Sequence, residues 1–581
     1  VVSSLKPLLI YDGKCGFCKI WLDYWRKLTG ERIAYAASQD VGGEYPQIPR
    51  EEFSRAVQLV RPDGSYASGA AAVFESLGHK TRYRMFAPVW EFGYGIIARH
   101  RDFFYFLTKW TFGTQIEPAR FAVTQWIFVR LLAAIYGIAF GSLIGQIRGL
   151  IGANGILPAA DYLKLVAQNA GAMGLLYVPT LFWTHLSDRA LVGVCWAGVA
   201  VAAVVFAGYF QRAGLAILFV LYLSLSAVGQ DFLSFQWDAL LIEVGFLSVF
   251  LGHARVIVWL FRALLFRLMF LSGAVKLLSR DPSWRNFTAM SFHYWTQPLP
   301  NRISWYMTQL PEWFQKMSTG MVLGVELAIP FLIFAPRRIR IFGGWCLLGL
   351  QLLIFSTGNY TFFNLLAMAL CVFLWDDRDF EGWLKTAPDG RGSEQPAGWA
   401  TRVAAVLILG MGMARIVETF TGASMPVLKY TAPFEIVNSY GLFAVMTTER
   451  PEIVVEGSMD GETWEPYSFR YKPGDVGRAP RWVAPYQPRL DWQMWFAALG
   501  NYRENPWFVN FAVRLLRGSP EVRGLLEAEP FHGEAPRYIR AELFAYSFTD
   551  AEERKKTGNW WKREARGLYL PAVGLRAAAG K

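Results

Sequence analysis

The chain has 581 residues, 53% of them hydrophobic and 16% aromatic, and its formal net charge is +12. That length exceeds one core, and the apolar excess, with a positive mean hydropathy, fits several membrane spans joined to soluble parts. The basic residues lie in short loops between apolar runs rather than in a stripe, which argues against nucleic acid as a partner, and five cysteines are too few for a disulfide scaffold.

Residues 1–117 read as one α/β unit. Candidate strands are Leu8–Tyr11, Ile33–Ala36, Ala56–Val60 and, after the Pro62-Asp63-Gly64 turn, Tyr66–Ser68. Helices are expected from Lys19 to Leu28 and from Ala70 to Leu77. Between the first strand and first helix stands Cys15-Gly16-Phe17-Cys18. Strand, tight turn, dithiol and helix together suggest a thioredoxin-like fold. At a helix start, unpaired backbone N–H groups and the dipole favour thiolate. Cys15 is therefore the expected nucleophile and Cys18 the resolving thiol, a redox-active dithiol that needs no cofactor. The alternatives are inert thiols or half a zinc site, which would require two more ligands, and His79 and His100 are isolated. The stretch Ser54–Val60 lacks the proline that usually faces such a dithiol, and Pro46 and Pro49 come too early. No signal peptide precedes Leu5, so the head is expected in the cytosol, with a thiol reductant as partner.

Residues 118–420 read as a polytopic α-helical bundle. About nine apolar segments are candidate spans: 120–140, 191–208, 214–227, 237–252, 256–277, 319–335, 341–356, 361–375 and 403–420. With the N-terminus inside, the inner short loops hold Arg212, Arg255, Arg337, Arg338, Arg340, Arg378, Lys385, Arg391 and Arg402. The outer short loops, around Gln230 and Asn359, hold no Lys or Arg. That asymmetry favours an inside N-terminus, and odd parity then puts residues 421–581 outside. Pro388–Gly398 reads as a solvated linker. The last part is expected to be β-rich, with a hairpin of Glu452–Gly457 and Trp464–Tyr471 around Ser458-Met459-Asp460-Gly461. A helical tail, Trp492 to Leu516, and a segment Tyr538–Phe548 follow.

Tyr11-Asp12-Gly13-Lys14-Cys15-Gly16-Phe17-Cys18 resembles the signature of the DCC family of thioredoxin-like thiol-disulfide oxidoreductases. Residues 120–572 resemble the lipase maturation factor family, through Gly152-Ala153-Asn154-Gly155-Ile156-Leu157-Pro158 and Phe235-Gln236-Trp237-Asp238-Ala239-Leu240-Leu241-Ile242-Glu243. Two further such strings are Glu456-Gly457-Ser458-Met459-Asp460-Gly461 and Pro485-Tyr486-Gln487-Pro488-Arg489-Leu490-Asp491-Trp492-Gln493-Met494-Trp495-Phe496. Members of that family are membrane proteins of the eukaryotic secretory pathway that help lipases reach an active fold. The resemblance implies an exported, lipase-like client, while the DCC head and missing signal point to a bacterial inner membrane. More distantly, Ser272-Gly273-Ala274-Val275-Lys276-Leu277 with Trp284 is similar to the membrane core of vitamin K-dependent γ-carboxylases. There a Gly-x-x-Lys stretch carries a catalytic lysine, and Lys276 falls on that position.

Ionisable side chains within apolar segments are costly and face a cavity or a partner. Asp238 or Glu243 paired with Lys276 would form a polar pocket open toward the external domain, or simply helix-helix glue. Arg130, Arg262, Arg267, Glu326, Arg415 and Glu418 could pair similarly. Cys346 and Cys371 are equidistant from the Gly358-Asn359 turn, either as an electron relay or as inert small hydrophobes. Arg489, Asp491, Trp492 and Trp495 are either core or an aromatic patch that grips a folding client. The preferred expectation is a maturation factor for an exported protein, with the head exchanging disulfides. The alternatives are a membrane enzyme with Lys276 as base acting on a small or lipid-like substrate, and a redox-sensing scaffold.

Overall fold

The apolar run Leu8–Tyr11 forms the first strand, β1, and its alternation sends Leu9 and Ile10 to opposite faces of a sheet. Leu9 packs with Leu22, Val57, Leu59, Ala67 and Ala72, whereas Ile10 packs with Ile48, Phe53 and Val60. β1 pairs in parallel with β2 (Ala34–Ala37), and this parallel return is made by the crossover helix α1 (Gly16–Thr29). β3 (Gln58–Val60) pairs antiparallel with β1 and with β4 (Tyr66–Ser68), so the order is β2-β1-β3-β4. The β3–β4 reversal needs Gly64, whose φ of +84° is the left-handed region. Further helices follow, among them α2 (Gly69–Ser76), α3 (Ala87–Arg99) and α4 (Arg101–Phe112). The strands and helices expected in this region thus form within two residues of their expected limits, except that α1 starts at Gly16, three residues before the expected Lys19.

This computed structural model describes residues 6–113, 116–252, 254–380 and 398–575. Contacts divide the chain into Val1–Arg120 with Phe334–Phe342, and Phe121–Ile333 with Gly343–Lys581. All but the last residue of the expected linker Pro388–Gly398 lies outside the described residues, as do Lys385 and Arg391.

Among the described residues seven helices are long and apolar enough to cross a membrane, not nine. They are Ala122–Ile144, Asp188–Phe206, Gln211–Val228, Arg255–Leu278, Glu312–Phe334, Arg337–Thr357 and Trp399–Thr421. The expected spans 237–252 and 361–375 are instead short helices, Gln236–Ser248 and Phe363–Cys371, of 13 and 9 residues. At 1.5 Å per residue these reach about 20 Å and about 14 Å, short of a hydrocarbon core of about 30 Å. An apolar run looks the same in sequence whether protein or lipid surrounds it, and these two are surrounded by protein.

Hydrogen bonds identify the two ends of this bundle. At one end Gln146 Nε2 donates to Gln487 O at 2.8 Å, and Asn359 Oδ1 accepts the N–H groups of Val483 (2.7 Å) and Ala484 (3.0 Å). At the other, the Asp377 carboxylate accepts the first N–H groups of the Ala122–Ile144 helix at 2.9–3.0 Å. Arg212 Nε donates to Leu251 O, and Gly252 N–H to Gln125 Oε1. The two short helices therefore carry the chain between the same two ends as the long ones.

The final region is the expected β-rich one. Its sheet runs β6-β5-β7-β8, with β5 (Arg450–Ser458), β6 (Glu465–Pro466), β7 (Tyr538–Phe548) and β8 (Trp561–Gly574) all antiparallel. The expected hairpin exists, but its second strand is only two residues long. Its turn is built by Asp460, whose Oδ1 accepts the N–H groups of Glu462 and Thr463 at 2.8 Å each. The expected helical tail is two helices, Arg489–Ala498 and Pro506–Leu516.

Candidate functional site

Cys15 is the N-cap of α1, with extended backbone (φ −81°, ψ 111°), and its Sγ accepts the Cys18 N–H at 3.2 Å. The loop before it is tied down by Asp12, whose Oδ1 accepts Lys14 N–H (3.0 Å) and Gln39 Nε2–H (2.9 Å). A Cβ on Gly16 would come within 3.2 Å of the Tyr105 ring, so glycine there lets α4 close against the dithiol turn. The Cys18 thiol, hydrogen-bonded to Cys15 sulfur, is the largest influence holding Cys15 down to about 6, opposed by partial burial and aided by the Cys18 amide and the Arg101 charge. The same hydrogen bond, with burial, pushes Cys18 far above the usual thiol range. One sulfur is thus a thiolate at neutral pH beside a protonated partner, the division of labour that disulfide exchange requires. Among the described residues no group of three His, Cys, Asp or Glu side chains is arranged to hold a metal ion.

A cavity of about 570 Å3 lies against α1, α2, α3 and α4, and Cys18, but not Cys15, contributes to its wall. Val57, ahead of β3, stands in the same wall with its N–H bonded to Tyr94 Oη at 3.0 Å; no proline occupies this position. Burial pushes the Tyr94 hydroxyl up to about 12. Arg101, 3.8 Å from Asp12, is a site residue that sequence reading missed, because nothing in its local pattern points back to the CxxC turn.

In the bundle, the expected pairing of Lys276 with Asp238 or Glu243 does not form. Three separate buried ion pairs replace it. Asp238 receives both guanidinium nitrogens of Arg489, at 2.8 and 2.9 Å, and the Tyr222 hydroxyl. Glu243 pairs with Arg267 and also accepts Asn438 N–H (2.9 Å) and Tyr440 O–H (2.7 Å). Lys276 donates to Glu326 at 2.6 Å and to Ser272 O at 3.0 Å. Charges in so dry a setting persist only when paired and hydrogen-bonded, and each pair gains a partner far away in sequence. A cavity of about 80 Å3 adjoins Lys276, Glu326, His293 and Tyr360. Burial, with the Lys276 charge, pushes His293 down to about 4.

Arg489, Asp491, Trp492 and Trp495 form no exposed client-gripping patch; they are 0%, 3%, 3% and 6% exposed. Trp492 stacks edge-on against Trp237, Trp495 Nε1 donates to Thr296 O at 2.8 Å, and Asp491 Oδ1 accepts the N–H groups of Tyr471 and Lys472. The string joins the final domain to the bundle. A further buried cluster, Glu452 between Arg450 (2.6 Å) and Lys472 (2.9 Å), escaped sequence reading. Alternation in β5 marked Glu452 as sheet but not as buried. Cys346 and Cys371 are both free thiols, with Cys371 buried.

The family model described as "Lipase maturation factor transmembrane domain" matches residues 123–382, and "Lipase maturation factor C-terminal domain" matches 436–571. Lipase maturation factor 2 of Xenopus tropicalis is 34% identical, over 76% of this chain and 81% of its own length. The Homo sapiens protein of that name is also 34% identical, over 77% and 82%. Lipase maturation factor 1 of Bos taurus is 32% identical, over 80% and 91%. No solved structure matches. Neither matched family span includes the dithiol head, and these relatives are vertebrate proteins, so the expectation of a bacterial membrane draws no support from them.

Proposed function

This chain belongs to the lipase maturation factor family, and on that premise we propose that it is a membrane-embedded maturation factor for an exported, lipase-like client, with a head that exchanges thiols and disulfides. The observation that carries the second half is the Cys15 N-cap, where one sulfur accepts the Cys18 N–H at 3.2 Å and is held down to about 6. The sheet order β2-β1-β3-β4, with the dithiol at the start of the β1–β2 crossover, supports a thioredoxin-like head. Arg212 and Arg378 lie at the bundle end where the chain enters at Ala122, whereas Asn359 and the 483–489 segment lie at the other. That charge distribution supports a cytosolic head and an external final domain. Reporter fusions at each terminus test this: activity of the same reporter at both ends contradicts it.

Client maturation is read by co-expressing a secreted lipase with the wild-type chain, a null, and Cys15→Ser. Secreted lipase activity should fall in the null at unchanged lipase transcript. If the redox head contributes, Cys15→Ser lowers it while the variant remains at normal abundance in the membrane. Cys18→Ser should also accumulate mixed disulfides through Cys15; their absence under oxidising conditions removes the exchange reading.

A further inference from the structure

We propose that the cavity beside Cys18 binds a lipid-soluble quinone, which takes two electrons from the Cys15–Cys18 pair. This rests on the reading of the pair as redox-active and names the oxidant. The wall is aromatic: Phe17, Trp21, Trp25, Phe74, Trp90 and Phe104 come from all four helices. Arg101 is its one charged member among the residues that line it. Polar groups in this wall are few, so most N–H and C=O groups that a peptide would bring go unpaired, whereas the wall suits a flat apolar ring. At about 570 Å3 the space falls within the range of about 300–1,000 Å3 usual for small-molecule sites. The buried indole N–H of Trp21, a residue of this wall, has no acceptor. α4, which supplies Phe104 and Leu107 to the wall, leaves Phe103, Phe106 and Trp110 60%, 67% and 58% exposed. It ends at Phe112, and the first candidate span begins at Ala122. Even fully extended, that connection reaches only about 35 Å, so the head is tethered to the first candidate span.

The electrons balance without another reactant. The Cys15 thiolate, hydrogen-bonded to the Cys18 thiol, takes its proton as Cys18 sulfur bonds to a ring carbon, and that proton then passes to the quinone oxygen, which restores the Cys15 thiolate. The Cys15 thiolate then attacks Cys18 sulfur; the S–S bond forms, the S–C bond breaks, and the electron pair leaves on the ring. The second ring oxygen takes a proton from water. The dithiol loses two electrons, and the quinone becomes quinol.

The test uses reduced full-length protein in detergent, under anaerobic conditions, with decylubiquinone, whose fully substituted ring has no hydrogen to lose and so cannot trap the Cys18 adduct as a stable thioether. About one quinol should form per dithiol, read by absorbance, with none for Cys15→Ser or Cys18→Ser. Gly93 is in the wall, and a Cβ there meets nothing within 4 Å, so Gly93→Phe fills the cavity from open space. That variant should lose at least about tenfold in quinone rate while keeping wild-type Cys15 alkylation and oxidation by glutathione disulfide. A photoreactive azido-quinone should label peptides from residues 16–29 and 87–112 of the wild type, whether or not Gly93→Phe folds. Equal quinone rates in wild type and Gly93→Phe overturn the proposal, as does labelling confined to other regions. So does oxidation by glutathione disulfide without quinol formation. If neither oxidant reacts, the redox reading itself falls, and the quinone site with it.

Discussion

Alkylation of Cys15 as a function of pH gives the head its sharpest examination. With Cys15 at about 6 against an ordinary thiol at 9.0, the thiolate fractions at pH 7 are about 90% and about 1%. A less basic thiolate is also a weaker nucleophile, and a Brønsted slope of about 0.4–0.5 over about three pH units removes about 20-fold. The net advantage over an unperturbed thiol is then about fourfold at pH 7. At pH 5 the fractions are about 9% and about 0.01%, so the advantage rises to about 40-fold. The assay is iodoacetamide labelling of the reduced protein at pH 4.5 to 9, with mass spectrometry to separate Cys15 from Cys18. The Cys15 rate should reach half its plateau near pH 6, and Cys18 should stay unlabelled through pH 8. Because the Cys18 thiol is the largest cause, Cys18→Ala should move the midpoint up further than Arg101→Gln. A midpoint above pH 8, or equal labelling of both sulfurs, refutes the reasoning.

Asp238→Ala leaves the fully buried Arg489 guanidinium with only Phe232 O (2.6 Å) and Tyr222 O–H (3.3 Å), which should cost about 3–5 kcal/mol; the double replacement Asp238→Leu/Arg489→Met should recover most of it, measured by thermal denaturation in detergent. Glu326→Ala should destabilise similarly by stranding Lys276, and Lys276→Met in that background should restore stability; if it also leaves lipase maturation intact, Lys276 is structural rather than a reactive base. Trp492→Ala should cost about 3–5 kcal/mol through the cavity it leaves, and limited proteolysis should release the final domain from the bundle rather than show a folded protein that has lost client binding.

Local pattern was enough wherever a short stretch carries its own physics. Leu8–Tyr11, the CxxC turn and the Pro62-Asp63-Gly64 reversal each announce strand, N-cap and hairpin through neighbours within a few residues. The long apolar helices announce themselves equally, because about 20 apolar residues have few other uses. What partners Asp238, Glu243 and Lys276 was beyond that reach. Arg489 is 251 positions from Asp238, Tyr440 is 197 from Glu243, and Glu326 is 50 from Lys276. A buried charge is decided by whichever donor the folded chain delivers within about 3 Å, and periodicity along one helix cannot name a residue on another. The same holds for Gln236–Ser248 and Trp492–Trp495. Their apolar character was plain, but whether lipid, a client or the protein itself covers them depends on neighbours brought from elsewhere in the fold.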